Sequence, residues 1–206
     1  MRGLLTKSTR ELTHEDLVRA RIGRNHWYAT LDQVPDECLH KDRVSRYVGE
    51  IYSTLKRGIG LYLYGDYGRG KTALAGVCLK ACMAHGGTSL MLRGMELKDA
   101  IIDKPAFDDN ETLNQRMLAV DLLAIDDPER GGDSTWSRSC LEEVVRARTD
   151  AKQSTILATN LGPAQLKEFL GSGLFHVIRE CMVPVEVVGK DWRESVSSTL
   201  HQEFSG

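Results

Sequence analysis

The stretch that most constrains this chain is LYLYGDYGRGKTALAG, residues Leu61 to Gly76. An apolar run leads into a glycine-rich turn, and a helix-forming run opens on Lys-Thr. Gly65-Asp66-Tyr67-Gly68-Arg69-Gly70-Lys71-Thr72 satisfies G-x-x-x-x-G-K-[ST]. Glycines let a backbone turn tightly and approach phosphate oxygens with no Cβ in the way. The N–H groups of such a loop and the helix N-terminus behind it supply positive potential. Lys71 is placed to reach β- and γ-phosphates, and the Thr72 hydroxyl to take one Mg2+ position. A chance Gly-rich turn is the alternative, and a strand before with a helix after argues against it. The candidate nucleotide-binding set is therefore Gly65, Asp66, Tyr67, Gly68, Arg69, Gly70, Lys71, Thr72 and Ala73.

The rest of the chain supplies the frame such a loop needs. Predicted strands over Leu61 to Tyr64, Ser89 to Leu92, Leu122 to Ile125, Thr155 to Ala158 and Val183 to Val188 alternate with predicted helices. The helices cover Asp36 to Lys56, Lys71 to about His85, Glu96 to Ile102, Glu111 to Met117, Trp136 to Thr149, Pro163 to Leu170 and Leu174 to Glu180. Thr13 caps a further short one. Such alternation implies an α/β fold with a mostly parallel sheet and helices on both faces. In that architecture ligands sit beyond the carboxyl ends of the strands. Three predicted strands end in polar groups there, at Gly65, at Asp126-Asp127 and at Thr159-Asn160.

Asp121-Leu122-Leu123-Ala124-Ile125-Asp126-Asp127 reads as a buried strand ending in two carboxylates. Alone it is a strand-ending turn before Pro128. After a phosphate loop, Asp126 is placed to hold Mg2+ and Asp127 to orient or deprotonate an attacking water. An Asn at position 160 can hydrogen-bond a γ-phosphate and a catalytic water, but it can equally cap the helix that Pro163 starts. Spacing alone leaves both open.

These elements together resemble an AAA+ ATPase, most closely the branch of DnaC/DnaI-type helicase loaders and IstB-like transposition ATPases. ARIGRNHWYATLDQVPD is similar to that branch's lead-in to the nucleotide site, LYLYGDYGRGKTALA to its Walker A and DLLAIDD to its Walker B. WSRSCLEEVVRARTDAKQSTILATNL resembles its sensor-1 region, which favours the sensor reading of Asn160, and IRECMVPVEVVGKDWRES resembles its closing strand. The resemblance implies a three-layer P-loop NTPase with a five-stranded sheet in the order 5-1-4-3-2. It implies ATP and Mg2+ as ligands, ATP hydrolysis, and nucleotide at a subunit interface reached by a neighbour's arginine finger. It also implies assembly into homo-oligomers and binding of single-stranded DNA, with a replicative helicase as partner; a transposase is the partner if the IstB-like reading holds. On this reading residues 1–22 are a short extension, 23–193 the ATPase core and 194–206 a polar tail. Two departures stand out. The branch commonly has Asp-Arg before its Ile-Arg-Glu, where this chain has His176-Val177 before Ile178-Arg179-Glu180. Arg179 is then the candidate finger, with Arg146 and Arg148 as outward-facing alternatives; a non-hydrolysing, nucleotide-gated adaptor is the reading if none serves. Loaders also usually carry a separate helicase-gripping domain, and residues 1–22 hold no zinc-binding cysteine cluster.

Composition narrows the remainder. Lys+Arg 27 against Asp+Glu 29 over 206 residues gives a net charge of −2, so binding of nucleic acid by bulk charge is not indicated. Local candidates are the N-terminal basic cluster (Arg2, Lys7, Arg10, Arg19, Arg21, Arg24, His26) with Trp27 and Tyr28, the loop Arg130 to Arg138 with Trp136, and Arg93 to Lys98. Trp27 and Tyr28 read rather as packing against the core or the adenine. Cys78 and Cys82 read as small buried hydrophobes of a helix, five cysteines without a C-x-x-C fit a reducing, cytoplasmic setting, and no apolar run suits a membrane span.

Overall fold

A computed structural model of the chain describes residues 5–6, 8–34, 39–102, 112–130 and 134–189. Five strands form one sheet: β1 (Gly60–Tyr64), β2 (Ser89–Arg93), β3 (Leu122–Asp126), β4 (Ser154–Thr159) and β5 (Met182–Glu186), in the order β2-β3-β4-β1-β5. Every neighbouring pair is parallel. This is the expected α/β architecture and strand order.

Alternation along each strand builds two cores. Leu61 and Leu63 of β1, with Leu122 and Ala124 of β3 and Ile156 and Ala158 of β4, face one side. There they meet Leu74, Cys78 and Leu79 of α4 (Lys71–Ala84), Val44 and Tyr47 of α2 (Leu39–Gly49) and Ile51 and Leu55 of α3 (Ile51–Lys56). Tyr62, Leu123, Ile125 and Leu157 face the other side, against α5 (Gly94–Ile102), α6 (Leu113–Ala119), α7 (Ser134–Asp150) and α8 (Pro163–Cys181). Apart from the edge strand β5, whose Val183 is exposed, the strands are largely buried on both faces, as parallel strands between helical layers must be. Cys78 and Cys82 are fully buried, and burial pushes both thiols up to about 12, so they serve as small hydrophobes.

One boundary differs instructively from the predicted elements. The single helix expected to end at Lys56 is divided at Glu50, whose backbone (φ −104°, ψ 20°) leaves the helical region between α2 and α3. Residues Gly171 (φ 77°, ψ 163°) and its neighbours separate two helical stretches within α8, and only a glycine takes that backbone freely. The predicted acidic loop over Lys104 to Asn110 and the tail from about Glu194 lie outside the described residues.

The first described segment is tied to the body by backbone. Thr6 and Arg10 donate their N–H groups to His85 O and Ala84 O at the end of α4, both at 2.8 Å. Met91 N of β2 donates to Ala20 O at 2.8 Å, which occupies the outer edge of that strand. Between them lies α1 (His14–Arg19), begun by a Thr13–Asp16 capping box, as Thr13 predicted. Arg10 pairs with Asp16 through both carboxylate oxygens, and that guanidinium holds the Asp16 carboxyl well below its ordinary range. Among the described residues no helix is long and apolar enough to cross a membrane.

Candidate nucleotide site

The register of the sheet brings three loops together. Tyr64 of β1 pairs with Thr159 of β4, and Asp126 of β3 pairs with Ala158, so the phosphate loop, the Asp126-Asp127 turn and Asn160 all leave one end of the sheet. Gly65, Gly68 and Gly70 have φ of 143°, 76° and 88°, a run of backbone that side-chain-bearing residues resist. At Gly65 a Cβ would also lie 2.4 Å from Val187 O. Gly70 caps α4, whose first residue is Lys71. Tyr67 is more than half exposed at the loop's tip, and Ala73 is half-buried in the first turn of α4. Arg69 pairs with Asp66 at 3.8 Å and donates to Gly189 O.

Lys71 is buried, and its Nζ donates to Gly65 O at 2.8 Å, Asp66 O at 2.7 Å and Asn160 Oδ1 at 2.7 Å. Burial lowers its pKa, opposed by the nearby carboxylates of Asp127, Asp126, Glu129 and Asp66. Thr72 Oγ1 lies 3.0 and 3.1 Å from the two oxygens of Asp126. The Asp126 carboxyl is raised to about 6, chiefly by burial and next by the neighbouring Asp127. Two adjacent carboxylates under that load, with a hydroxyl between them and the phosphate loop, form a hard-oxygen donor set that suits Mg2+. The left-handed glycines, the helix start and the buried ammonium suit a polyphosphate.

Asp127 has φ 49°, the left-handed region that Asp tolerates better than most residues. Its N–H still donates to Ala158 O at 2.9 Å, which holds the turn against β4. Asp127 Oδ1 accepts from Asn160 Nδ2 at 3.0 Å. Its other oxygen faces Arg130 Nε at 3.5 Å, and Arg130 stacks over the ring of Tyr67 at 5.2 Å. The residue that sequence reasoning missed is Glu129. It sits in a 3-10 turn, Pro128–Arg130, and takes three hydrogen bonds from Thr159 Oγ1, Asn160 N and Asn160 Nδ2.

The structure thus brings together Gly65 to Thr72, Asp126, Asp127 and Asn160, and not Arg179. Arg179 is exposed on α8, three residues before Met182, which pairs with Gly60 at the opposite end of the sheet. Of the alternative fingers, Arg146 is exposed and pairs with Glu142 at 2.8 Å. Arg148, expected to face outward, does not. It is fully buried, donating to Thr155 Oγ1 at 3.0 Å, Met117 O at 2.8 Å and Ser154 O at 2.6 Å. Trp27 packs against the core, donating to Ile22 O at 2.8 Å, but Tyr28 is 74% exposed rather than packed. Of the basic candidates, Arg2, Lys7 and residues 131–133 lie outside the described residues, as does the Lys98 side chain.

No protein-family model and no curated protein matches the chain. Solved structures do. The DnaC helicase loader superposes with a TM-score of 0.67 at 24% identity, over 81% of this chain and 100% of that one. DnaI superposes with a TM-score of 0.65, also at 24% identity, over 82% and 93%. The replication initiator DnaA, bound to AMPPCP and single-stranded DNA, superposes with a TM-score of 0.63 at 17% identity, over 89% of this chain and 56% of that one. The five-stranded parallel sheet, its strand order and these superpositions establish that the chain has the AAA+ P-loop fold, in the form found in helicase loaders and replication initiators.

Proposed function

We propose that this chain is a helicase-loader-type AAA+ ATPase that binds Mg-ATP, assembles with nucleotide and engages single-stranded DNA. The observation that carries the reading is the convergence of Lys71, Thr72, Asp126, Asp127 and Asn160 on one end of the sheet. Bound Mg2+ would offset charge on the β- and γ-phosphates. Lys71 binds the same oxygens once it exchanges carbonyl partners for phosphate. Thr72 and Asp126 would hold the cation, and the Asp127 carboxylate takes a proton from the attacking water. Asn160 orients that water beside Asp127.

Charge developing on the transferred phosphoryl group calls for a cation beyond Lys71. Arg179 lies at the wrong end of the sheet to serve its own site, so in this reading it acts on a neighbour's nucleotide. The DNA and helicase partners are suggested by the likeness to DnaC, and to a DnaA structure that holds single-stranded DNA.

The test is steady-state ATP hydrolysis with and without single-stranded DNA, for the wild type beside Lys71→Ala, Asp127→Asn and Arg179→Ala. DNA-stimulated turnover, abolished in Arg179→Ala without loss of ATP binding, supports the assembling ATPase. ATP binding without turnover above Asp127→Asn overturns hydrolysis and leaves a nucleotide-gated adaptor. Capture of a transposase in place of a replicative helicase would support the IstB-like alternative.

A further inference from the structure

Glu129 belongs to no motif of the phosphate site, yet its carboxylate is the most heavily engaged acceptor there. Oε2 accepts from Thr159 Oγ1 at 2.8 Å. Oε1 accepts from Asn160 N at 3.1 Å and Asn160 Nδ2 at 3.2 Å. The same Nδ2 donates to Asp127 Oδ1 at 3.0 Å, while Asn160 Oδ1 accepts from Lys71 Nζ at 2.7 Å. One amide is therefore held between two carboxylates and an ammonium. Rotated by a half-turn, it would aim its oxygen at both carboxylates and its NH2 at a group that can only donate. Electrostatics thus permit a single orientation, with the oxygen on the phosphate-loop side.

Asp127 alone would not secure this. Asp127 is one contact for Nδ2, and its partner Arg130 is exposed. Glu129 adds a second contact to the side chain and also anchors the backbone of Asn160 and the hydroxyl before it. The buried Pro128 stands between Asp127 and Glu129, and the turn closes through Arg130 N to Asp127 O at 3.0 Å. Both carboxylates therefore address one amide from a short, constrained segment.

We propose that Glu129 is a positioning residue that fixes Asn160 against Asp127 and Lys71, so that the amide keeps its oxygen on the Lys71 ammonium and its NH2 on the two carboxylates through the hydrolytic cycle. The inference rests on the ATPase reading above. A displaced orienting group costs turnover rather than binding, and misplacement by about 1 Å is worth on the order of 10²-fold.

The experiment measures kcat and KM for ATP with single-stranded DNA present, binding of a fluorescent ATP analogue with Mg2+, and the thermal midpoint. The proteins are the wild type, Glu129→Ala, Glu129→Gln, Asn160→Ala and the Glu129→Ala/Asn160→Ala pair. Glu129→Ala is expected to lower kcat by roughly 10- to 100-fold with KM and analogue affinity within about twofold of wild type. Glu129→Gln, which keeps size and an acceptor oxygen, is expected to recover part of kcat, and it carries the test if Glu129→Ala does not fold. The double variant is expected to be no slower than Asn160→Ala, because both changes remove one function. Equal losses of kcat, affinity and thermal midpoint, or full independent losses in the double variant, would make Glu129 a fold-supporting residue and overturn the proposal. A wild type that turns over while Glu129→Ala matches it overturns only this inference. A wild type that never exceeds Asp127→Asn overturns the ATPase reading and this inference with it.

Discussion

Lys71 Nζ and Asn160 Oδ1 stand 2.7 Å apart, joining the loop after β1 to the end of the adjacent strand β4. The contact makes the lysine part of a network that reaches Asp127 and Glu129 through a single amide. Lys71→Ala is expected to weaken binding of ATP by about 2–5 kcal/mol, the usual effect of deleting a buried, hydrogen-bonded charge that meets an opposite charge. Titration of a fluorescent ATP analogue measures it, and wild-type affinity in the variant would remove Lys71 from the phosphate site.

Asp127→Asn separates binding from turnover. The amide keeps the side chain's size but not its basicity, so kcat should fall by about 10²–10⁴-fold, the range for a lost general base. Affinity for ATP should stay near that of wild type. A kcat close to wild type would assign the proton to another group.

Asp126 yields a pH signature. Its carboxyl is raised to about 6 from an ordinary 3.8, so the folded chain holds that proton more tightly than the unfolded one. This contribution to stability is complete below the ordinary value and is lost as pH rises through about 6. Asp16, with its carboxyl lowered, has the opposite slope, so the comparison must be with Asp126→Asn. Asp126→Asn should flatten that loss between about pH 4 and pH 6. Mg2+ competes with the same proton, so the rise in thermal midpoint caused by Mg-ATP should grow from about pH 5 to about pH 7 and be blunted in the variant. A Mg-ATP effect independent of pH would place the cation elsewhere.

Arg148 offers a test of stability away from the site. Arg148→Met keeps much of the apolar stem but strips donors from Met117 O, Ser154 O and Thr155 Oγ1 in the interior. The expected loss is about 2–4 kcal/mol, from buried acceptors left without partners. Chemical denaturation reads it directly, and a loss under about 0.5 kcal/mol, the level of an ordinary surface change, would be incompatible with this packing.

What could be read in the sequence was what is local or periodic. Gly65 to Thr72 is a local motif, and alternating strands and helices implied the parallel sheet before any pairing was known. The contacts of Glu129 are neither. They join residues some 30 positions apart, and only the pairing of β3 with β4 makes them neighbours. Arg148 was misplaced for a related reason. Helical spacing shows that it shares a face with Leu141, Val144 and Val145, but charge argued for solvent, and the carbonyls that receive it come from α6 and β4. Trp27 and Tyr28 are adjacent aromatics with opposite fates: the Trp27 indole N–H reaches the Ile22 carbonyl and its ring packs on the core, while Tyr28 is exposed.

The backbone ties at Thr6 and Arg10 have a mechanical consequence. They attach the leading segment to the last turn of α4, whose first turn is the end of the phosphate loop. A 14-residue helix is a rod about 21 Å long. The leading segment is therefore fastened to one tip of that rod, with Gly70 and Lys71 at the other.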